Sequence, residues 1–296
     1  MTKNQQDKWQ KIIATAVVAL ILLGVGKWLY YDAVYLKPET VFWSCMNQNL
    51  QTGSVTITSN LSSDASQTVV QVANMQFKAS LYAQTTVTIE DKTAGKQSLV
   101  ITDTFGTPTQ DYLMYRQIKT PDSNVPSGVV GVWAASSTKE NGQSQVLSDA
   151  ILASPIMFGY LDSSQRAKLI DQMRTNKVFT VDFNATKKGV KVNGKNTYAY
   201  AVTIDMQKYI AVYKNYLAMI GQTALGNQLG QAQVGDSYKA TLYIAPVSRQ
   251  PLRLLPEGSK NGQDFSNFGN NNFGQPPKNV ELTISQLQSR ITGQPQ

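Results

Sequence analysis

Five short stretches between Val55 and Tyr115 alternate polar with apolar residues: Val55 and Ile57 among threonines, then Val70 and Val72, Val87 and Ile89, Leu99 and Ile101, and Leu113 and Tyr115. Successive side chains of a strand point to opposite faces, so this period-two pattern predicts half-buried β-strands. The linkers between them, among them SSDASQ, DKTAGKQ and GTPTQD, are polar turn material. Parallel pairing needs a crossover of a dozen or more residues, usually a helix, and these linkers leave no room for one. The stretch is therefore expected to form an antiparallel meander with one face buried.

The elements around the meander follow from other periodicities. In 37–51, Val41, Phe42, Cys45, Met46 and Leu50 recur at helical spacing behind Pro38 and Glu39, which suit a first helical turn. Residues 121–145 read as a polar loop with a short strand near Trp133, and 147–177 as two helices, the second capped by Asp162 or Ser163. Strands are expected at 178–184 and 197–204, with a turn at 187–194. Asp205 then caps a helix over 206–220, closed by Gly221, with Met206, Tyr209, Ile210, Tyr213, Tyr216, Leu217 and Ile220 on one stripe. Residues 222–236 are expected to loop back. Strands at 239–245 and 279–285 close the domain, with SRQPLRLL extended and 258–278 a loop.

A second feature decides the solvent around these elements. From Ile12 to Gly26 there is no charge, and Trp9 on one side and Trp28, Tyr30 and Tyr31 on the other are suited to membrane interfaces. About 20 helical residues cross a bilayer core, and Lys27 can snorkel to headgroups. The expectation is a transmembrane signal anchor over 12–31. Lys3, Lys8 and Lys11 keep residues 1–11 cytoplasmic by the positive-inside rule, and the domain 32–288, with a polar tail 289–296, lies outside the cell membrane. A cleaved signal peptide is the rival reading, but no small-x-small pair leads into a polar start. The first helix begins so soon after the run that any lipid transfer would take place close to the anchoring bilayer.

Composition removes several chemistries. The chain has no histidine and one cysteine, Cys45, so Ser-His and Cys-His nucleophiles, the usual zinc ligand sets and intramolecular disulfides are excluded. Of the net charge of +8, the four lysines and one aspartate at or before the apolar run account for +3, and the remaining excess is spread along the chain. The sequence Ser136-Ser-Thr-Lys139 matches the Ser-x-x-Lys pair of penicillin-recognising enzymes. It stands in a polar loop without the partner motifs, and chance explains it better. Carboxylates are too scattered for a hydrolase dyad or a calcium loop, and basic residues do not interleave with aromatics as a nucleic-acid surface requires. No cofactor, metal or catalytic residue is expected, and the chain reads as a non-enzyme.

In TLYIAPVSRQPLRL, residues 241–254, Tyr243, Ile244, Pro251 and Arg253 stand where a strand-turn-strand signature resembles that of the LolA/LppX-like lipoprotein carriers. Ala245 stands where that family commonly has Asp, and the lipobox of its anchored members is missing. The resemblance implies an α+β fold, a curved antiparallel half-barrel with helices packed in its concave mouth. It also implies a function, binding or transfer of a lipid or other hydrophobic ligand. Tyr- and Met-rich segments supply the candidate lining: Ile156, Met157, Phe158, Tyr209, Tyr213, Tyr216, Leu217 and Ile220. Such stripes are more often ordinary core. The alternative is a surface interaction or envelope-scaffold module with a solid core, whose loops 121–145 and 258–278 meet an envelope protein.

Overall fold

The computed structural model describes residues 34–62, 66–92, 97–121, 126, 128–136, 143–229, 235–270 and 273–292. The tail 1–11 and the run Ile12–Tyr31 lie outside the described residues. No helix among the described residues is long and apolar enough to cross a membrane.

The fold is α+β. A helix α1 (Pro38–Asn49) precedes the meander β1 (Ser54–Asn60), β2 (Gln67–Gln76), β3 (Tyr82–Asp91), β4 (Ser98–Gly106) and β5 (Asp111–Lys119), followed by a short β6 (Trp133–Ala135). Two helices, α2 (Gln145–Leu152) and α3 (Ser163–Thr175), lead to β7 (Phe179–Val181), β8 (Lys187–Val192) and β9 (Lys195–Asp205). Then come α4 (Met206–Met219), α5 (Thr223–Leu229), β10 (Ser237–Ala245), β11 (Gln250–Pro256), β12 (Gln263–Ser266), β13 (Leu282–Thr283) and α6 (Ile284–Thr292).

All the strands join one open sheet in the order β13-β6-β5-β4-β3-β2-β1-β12-β11-β10-β9-β7, with β8 on the same edge of β9 as β7. Every pairing is antiparallel except β13 with β6. The sequence order places β1 beside β12, so the meander and the β9–β12 block meet at a seam closed by residues about 200 positions apart, such as Ile57 opposite Phe265.

Helices pack on one face of this sheet. α1 buries Val41, Phe42, Cys45 and Met46. Phe42 meets the rings of Phe179, Phe183 and Tyr200 edge-on at 5.5–5.8 Å, and the Tyr200 hydroxyl donates to the Pro38 carbonyl at 2.9 Å. Each such large side chain taken fully out of water contributes roughly 1.5–3 kcal/mol. The segment after α2 is tied to α1, with Gly159 and Leu161 amides donating to the Asn49 and Leu50 carbonyls. At the far end of the sheet a smaller cluster of Val129, Ala134 and Leu287 seats α6 against β5 and β6.

Helix starts follow the sequence closely. Asp162 and Gln165 form a capping box on α3, and Asp205 caps α4 by accepting from the Lys208 amide at 3.1 Å. Elsewhere the structure corrects the sequence reading. Val70 and Val72 do not share the face of Val55 and Ile57, because Ile57 pairs with Ala73 and Val72 with Thr58. The row that runs across four strands on the Ile57 face is Val69, Ile89, Val100 and Ile118. The segment TVVQV of β2 is apolar on both sides, so alternation alone could not choose its face. Residues 187–194 form a hairpin strand and its turn, not a turn alone. Residues 223–229 are helical, 258–278 contains β12, and the strand expected at 279–285 is only two residues long before α6 begins.

Candidate functional site

The first turns of α4 project Met206, Tyr209, Ile210 and Tyr213 at helical spacing toward the end of the sheet where β1, β10 and β11 terminate. There they meet Leu152 to Pro155 after α2, Leu61 after β1, Leu229 of α5, Tyr238 of β10 and Gln263 of β12. The helices and strand ends do not close on one another, and a pocket of about 440 Å³ remains. Pockets that hold small molecules run from roughly 300 to 1,000 Å³ and are lined mainly by apolar and aromatic groups. None of the described residues lining this one is charged, and Leu61 and Leu152 stand exposed at its rim.

The tyrosine stripe of α4 shows how the pocket differs from the core beside it. Tyr209 and Tyr213 stack with ring centroids 5.1 Å apart, and Tyr216 continues the row at 5.2 Å. The Tyr213 hydroxyl donates to the Ile151 carbonyl at 2.7 Å, and the Tyr216 hydroxyl donates to that of Phe158. These two bonds hold the segment 151–158 against α4. The Tyr209 hydroxyl is buried and has no hydrogen-bond partner among the described residues. Burial pushes the pKa of all three phenols well above the usual range, and a neighbouring phenol adds to the effect in each case, so the row is neutral. Tyr238 across the pocket is shifted upward by burial as well.

On the opposite wall, the Gln263 amide nitrogen donates to the Ala153 carbonyl and to Ser59 Oγ. A carbonyl only accepts, so this fixes the amide orientation and leaves Gln263 Oε1 outside both bonds. It too is buried, with no hydrogen-bond partner among the described residues.

Of the eight residues expected to line a ligand site, Tyr209 and Tyr213 stand on the pocket wall. Ile156, Met157, Phe158, Tyr216 and Leu217 lie in the main core, with Phe158 against the rings of Phe265 and Phe268 at 5.5 and 6.4 Å. Ile220, half-buried, borders a separate recess of about 210 Å³ with Phe77, Leu81 and Tyr160. Met206 and Ile210 belong to the same stripe one turn earlier, and that continuity was the signal that could have added them. Leu61, Leu229, Tyr238 and Gln263 come from four separate segments and carry no local signal.

Ser136, the first residue of the Ser-x-x-Lys match, accepts from the Asp111 amide at 3.0 Å and so closes the β5–β6 pairing, while Lys139 lies outside the described residues. Within the 241–254 signature, Tyr243 pairs with Arg253 just before a β-bulge, and Arg253 forks onto the Asp264 carboxylate, with its Nη2 2.8 Å from Oδ2.

No family model and no curated protein matches this chain. Among solved structures it is similar to LprF from Mycobacterium bovis, over 83% of this chain and 97% of that one, at 16% identity and a TM-score of 0.36. A score of that size does not establish a shared fold, so the functional reading rests on the pocket.

Proposed function

We propose that the chain is a non-enzymatic domain that binds, and hands over, a lipid or another hydrophobic molecule in the pocket between α4 and the ends of β1, β10 and β11. The observation that carries this reading is an uncharged, largely apolar pocket of about 440 Å³ with two exposed leucines at its rim. Among the described residues that line it, the titratable groups are phenols held protonated by burial, which suit binding better than proton transfer. On this reading the sheet wraps as a half-barrel with the helices in its concave mouth, as the resemblance at 241–254 implies. Residues 12–31 tether it to the cell membrane with the domain outside.

Where the tether joins bears on how the ligand moves. Tyr35 contacts Val247 and Arg249 in the β10–β11 turn, whereas the pocket lies at Tyr238, seven residues back along β10 from Ala245. At about 3.3 Å per residue the two ends are roughly 23 Å apart. On this reading the mouth of the pocket lies at the end of the sheet remote from Tyr35, about that distance from where the tether joins, and transfer stays within reach of the anchoring bilayer.

Solvent extraction of the purified full chain and mass spectrometry of the extract test this, with Leu152→Trp as the comparison. Leu152 is half-exposed at the rim, so tryptophan can fill the mouth without disturbing the core. The apolar run 12–31 is the same in both proteins, so a hydrophobic molecule retained by the wild type and lost from the variant belongs to the pocket. Equal contents in the two would overturn the reading.

A further inference from the structure

The end of the sheet remote from the pocket exposes apolar side chains that the core does not cover. Residues 246–249 turn β10 into β11, and Val247 in this turn is 62% exposed, the most of any large apolar side chain among the described residues. Turns draw on Gly, Pro, Asn, Asp and Ser, so a valine here serves no conformational purpose. Tyr35 is held onto the same turn by its hydroxyl bond to the Val247 carbonyl, 212 positions away, and it and its neighbour Val34 are exposed as well. Single exposed apolar residues are normal, but three from segments so distant form a patch of the kind that meets a membrane or a partner.

Positive charge of one sign stands beside this patch. The hairpin β8–β9 reaches the same end of the sheet: Tyr198 pairs with Ile244 on one side and with Lys188 on the other, and Val192 packs against Ala245 and Leu252. At about 4.8 Å between strands, the Lys188 backbone is roughly 10 Å from that of Ile244, three residues before Val247. The hairpin carries Lys187, Lys188, Lys191 and Lys195, all exposed, and no acidic residue stands between Phe183 and Tyr198. None of the four pairs with a carboxylate among the described residues, and the Lys188 ammonium sits 5.4 Å from the Tyr198 ring centroid. Of the carboxylates on adjoining segments, Glu39 lies 3.5 Å from Lys37, and Asp182 accepts from the amides of Asn184 and Ala185.

We infer that this end of the domain docks on an anionic bilayer surface, with Val247, Val34 and Tyr35 entering the interface and the lysines of the β8–β9 hairpin facing the phosphate headgroups. Two observations choose a bilayer. Asp32 and Ala33 alone separate Val34 from Tyr31, where the apolar run ends, so a run that lies in the membrane leaves the patch at its surface. The lysines match a surface whose charge is negative throughout, and basic residues and apolar side chains act together at such an interface. The inference rests on the tether reading for its bilayer and is independent of what the pocket holds. Docking at this end points the pocket mouth away from the headgroups.

Lipid quenching tests this on the full chain reconstituted into vesicles of phosphatidylcholine, alone or mixed with phosphatidylglycerol, that carry a spin label near the headgroup. A fluorophore is attached through Val247→Cys, through Ser248→Cys as a second position on the same exposed turn, and through Gln207→Cys, exposed at the pocket end. The wild type serves as the blank, because Cys45 is fully buried. The turn labels are expected to be quenched in anionic vesicles and the label at 207 to stay bright. The ratio of docked to free domain should fall about 5-fold for each lysine exchanged, and so roughly 100-fold in the triple variant Lys187→Gln, Lys191→Gln, Lys195→Gln. High salt should lower it too. Turn labels that stay bright, quenching equal to that at 207, or quenching equal in neutral and anionic vesicles would overturn the inference. Flotation in high salt reports the tether separately: a chain that washes off removes the tether reading, and the turn labels on anionic vesicles at low salt still decide the docking.

Discussion

The guanidinium of Arg249 lies over the ring of Tyr35, 4.1 Å from its centroid, and Arg249 Nη2 also donates to the Tyr35 carbonyl. The Tyr35 hydroxyl returns a bond to the Val247 carbonyl at 3.4 Å. Three contacts thus clamp the segment that enters α1 onto the turn between β10 and β11. Arg249 makes two of them while almost wholly buried and with a backbone φ of +57°. The left-handed region is costly for a residue with a Cβ, and packing must hold it there.

Substitution at Arg249 separates the side chain from the backbone. Arg249→Ala removes the stacking and the carbonyl bond but keeps a Cβ at positive φ, and should destabilise the fold by about 1–3 kcal/mol in chemical denaturation. Arg249→Gly loses the same contacts but accepts that φ freely, so it should be about 1 kcal/mol more stable than the alanine variant. Equal midpoints for the two variants would show that the turn carries no backbone strain.

Cys45 should report global unfolding. It is fully buried in α1 beneath the sheet, and burial pushes its thiol far above the usual range, against smaller downward pulls from the Asn49 hydrogen bond and Arg249. The thiolate is the reactive form. Alkylation of the folded protein is therefore expected to run at the rate of unfolding even at alkaline pH, and to become rapid in denaturant. Rapid labelling of the native protein would place Cys45 in a locally opening segment.

Gly106 sets the seat of α2. A Cβ built there would lie 2.6 Å from the Leu147 amide nitrogen, 2.6 Å from Ser144 Oγ and 2.9 Å from Val146 Cβ. Ser144 caps the helix, and Asp111 accepts from the amides of Gln145 and Val146 at 2.9 and 3.2 Å. Gly106→Ala must push this anchored helix start away from the sheet, at about 1–3 kcal/mol. Because α2 leads into Leu152 and Ala153 on the pocket wall, the same variant should also lower ligand retention. Unchanged stability would mean that α2 slides without resistance.

How far these features could be read from the sequence depended on whether the determining interactions were local. Caps were legible: Asp162 and Asp205 act within three residues of themselves, Asp205 where the sequence put it and Asp162 as one of the two caps it offered. The five meander strands were legible from their alternation. The hairpin β8–β9 was missed although Asn193 and Gly194, at φ +49° and +76°, form the two-residue turn that such a dipeptide favours, because the lysines of 187–191 obscured the strand. The face of β2 was not legible, since Val69 and Val70 are equally apolar and only pairing with Ile89 selects Val69 for the inner row. Only Tyr209 and Tyr213 among the eight residues expected to line a site lie on the pocket wall, and whether a stripe meets packing or open space depends on segments such as Gln263, fifty or more residues away. That decision is made by the strand order, which no local pattern encodes.

The last expectation concerns acid. The Asp205 carboxyl is held below its ordinary value, first by the hydrogen bond from the Lys208 side chain, at 2.8 Å, and then by the Lys208 amide at the start of α4. A carboxyl whose folded-state acidity is strengthened adds stability that is fully present above its unfolded value, near 4, and is lost as pH falls through the lower folded value. Asp205→Asn keeps an oxygen to cap Lys208 but has no charge to lose. The wild type should therefore exceed this variant in melting temperature at neutral pH, and the gap should close as pH falls from about 5 through the lowered folded-state value. A gap that stays constant over this range would assign the advantage of Asp205 to capping geometry alone. Since α4 carries Met206, Tyr209, Ile210 and Tyr213 in its first turns, ligand retention should weaken over the same window in the wild type.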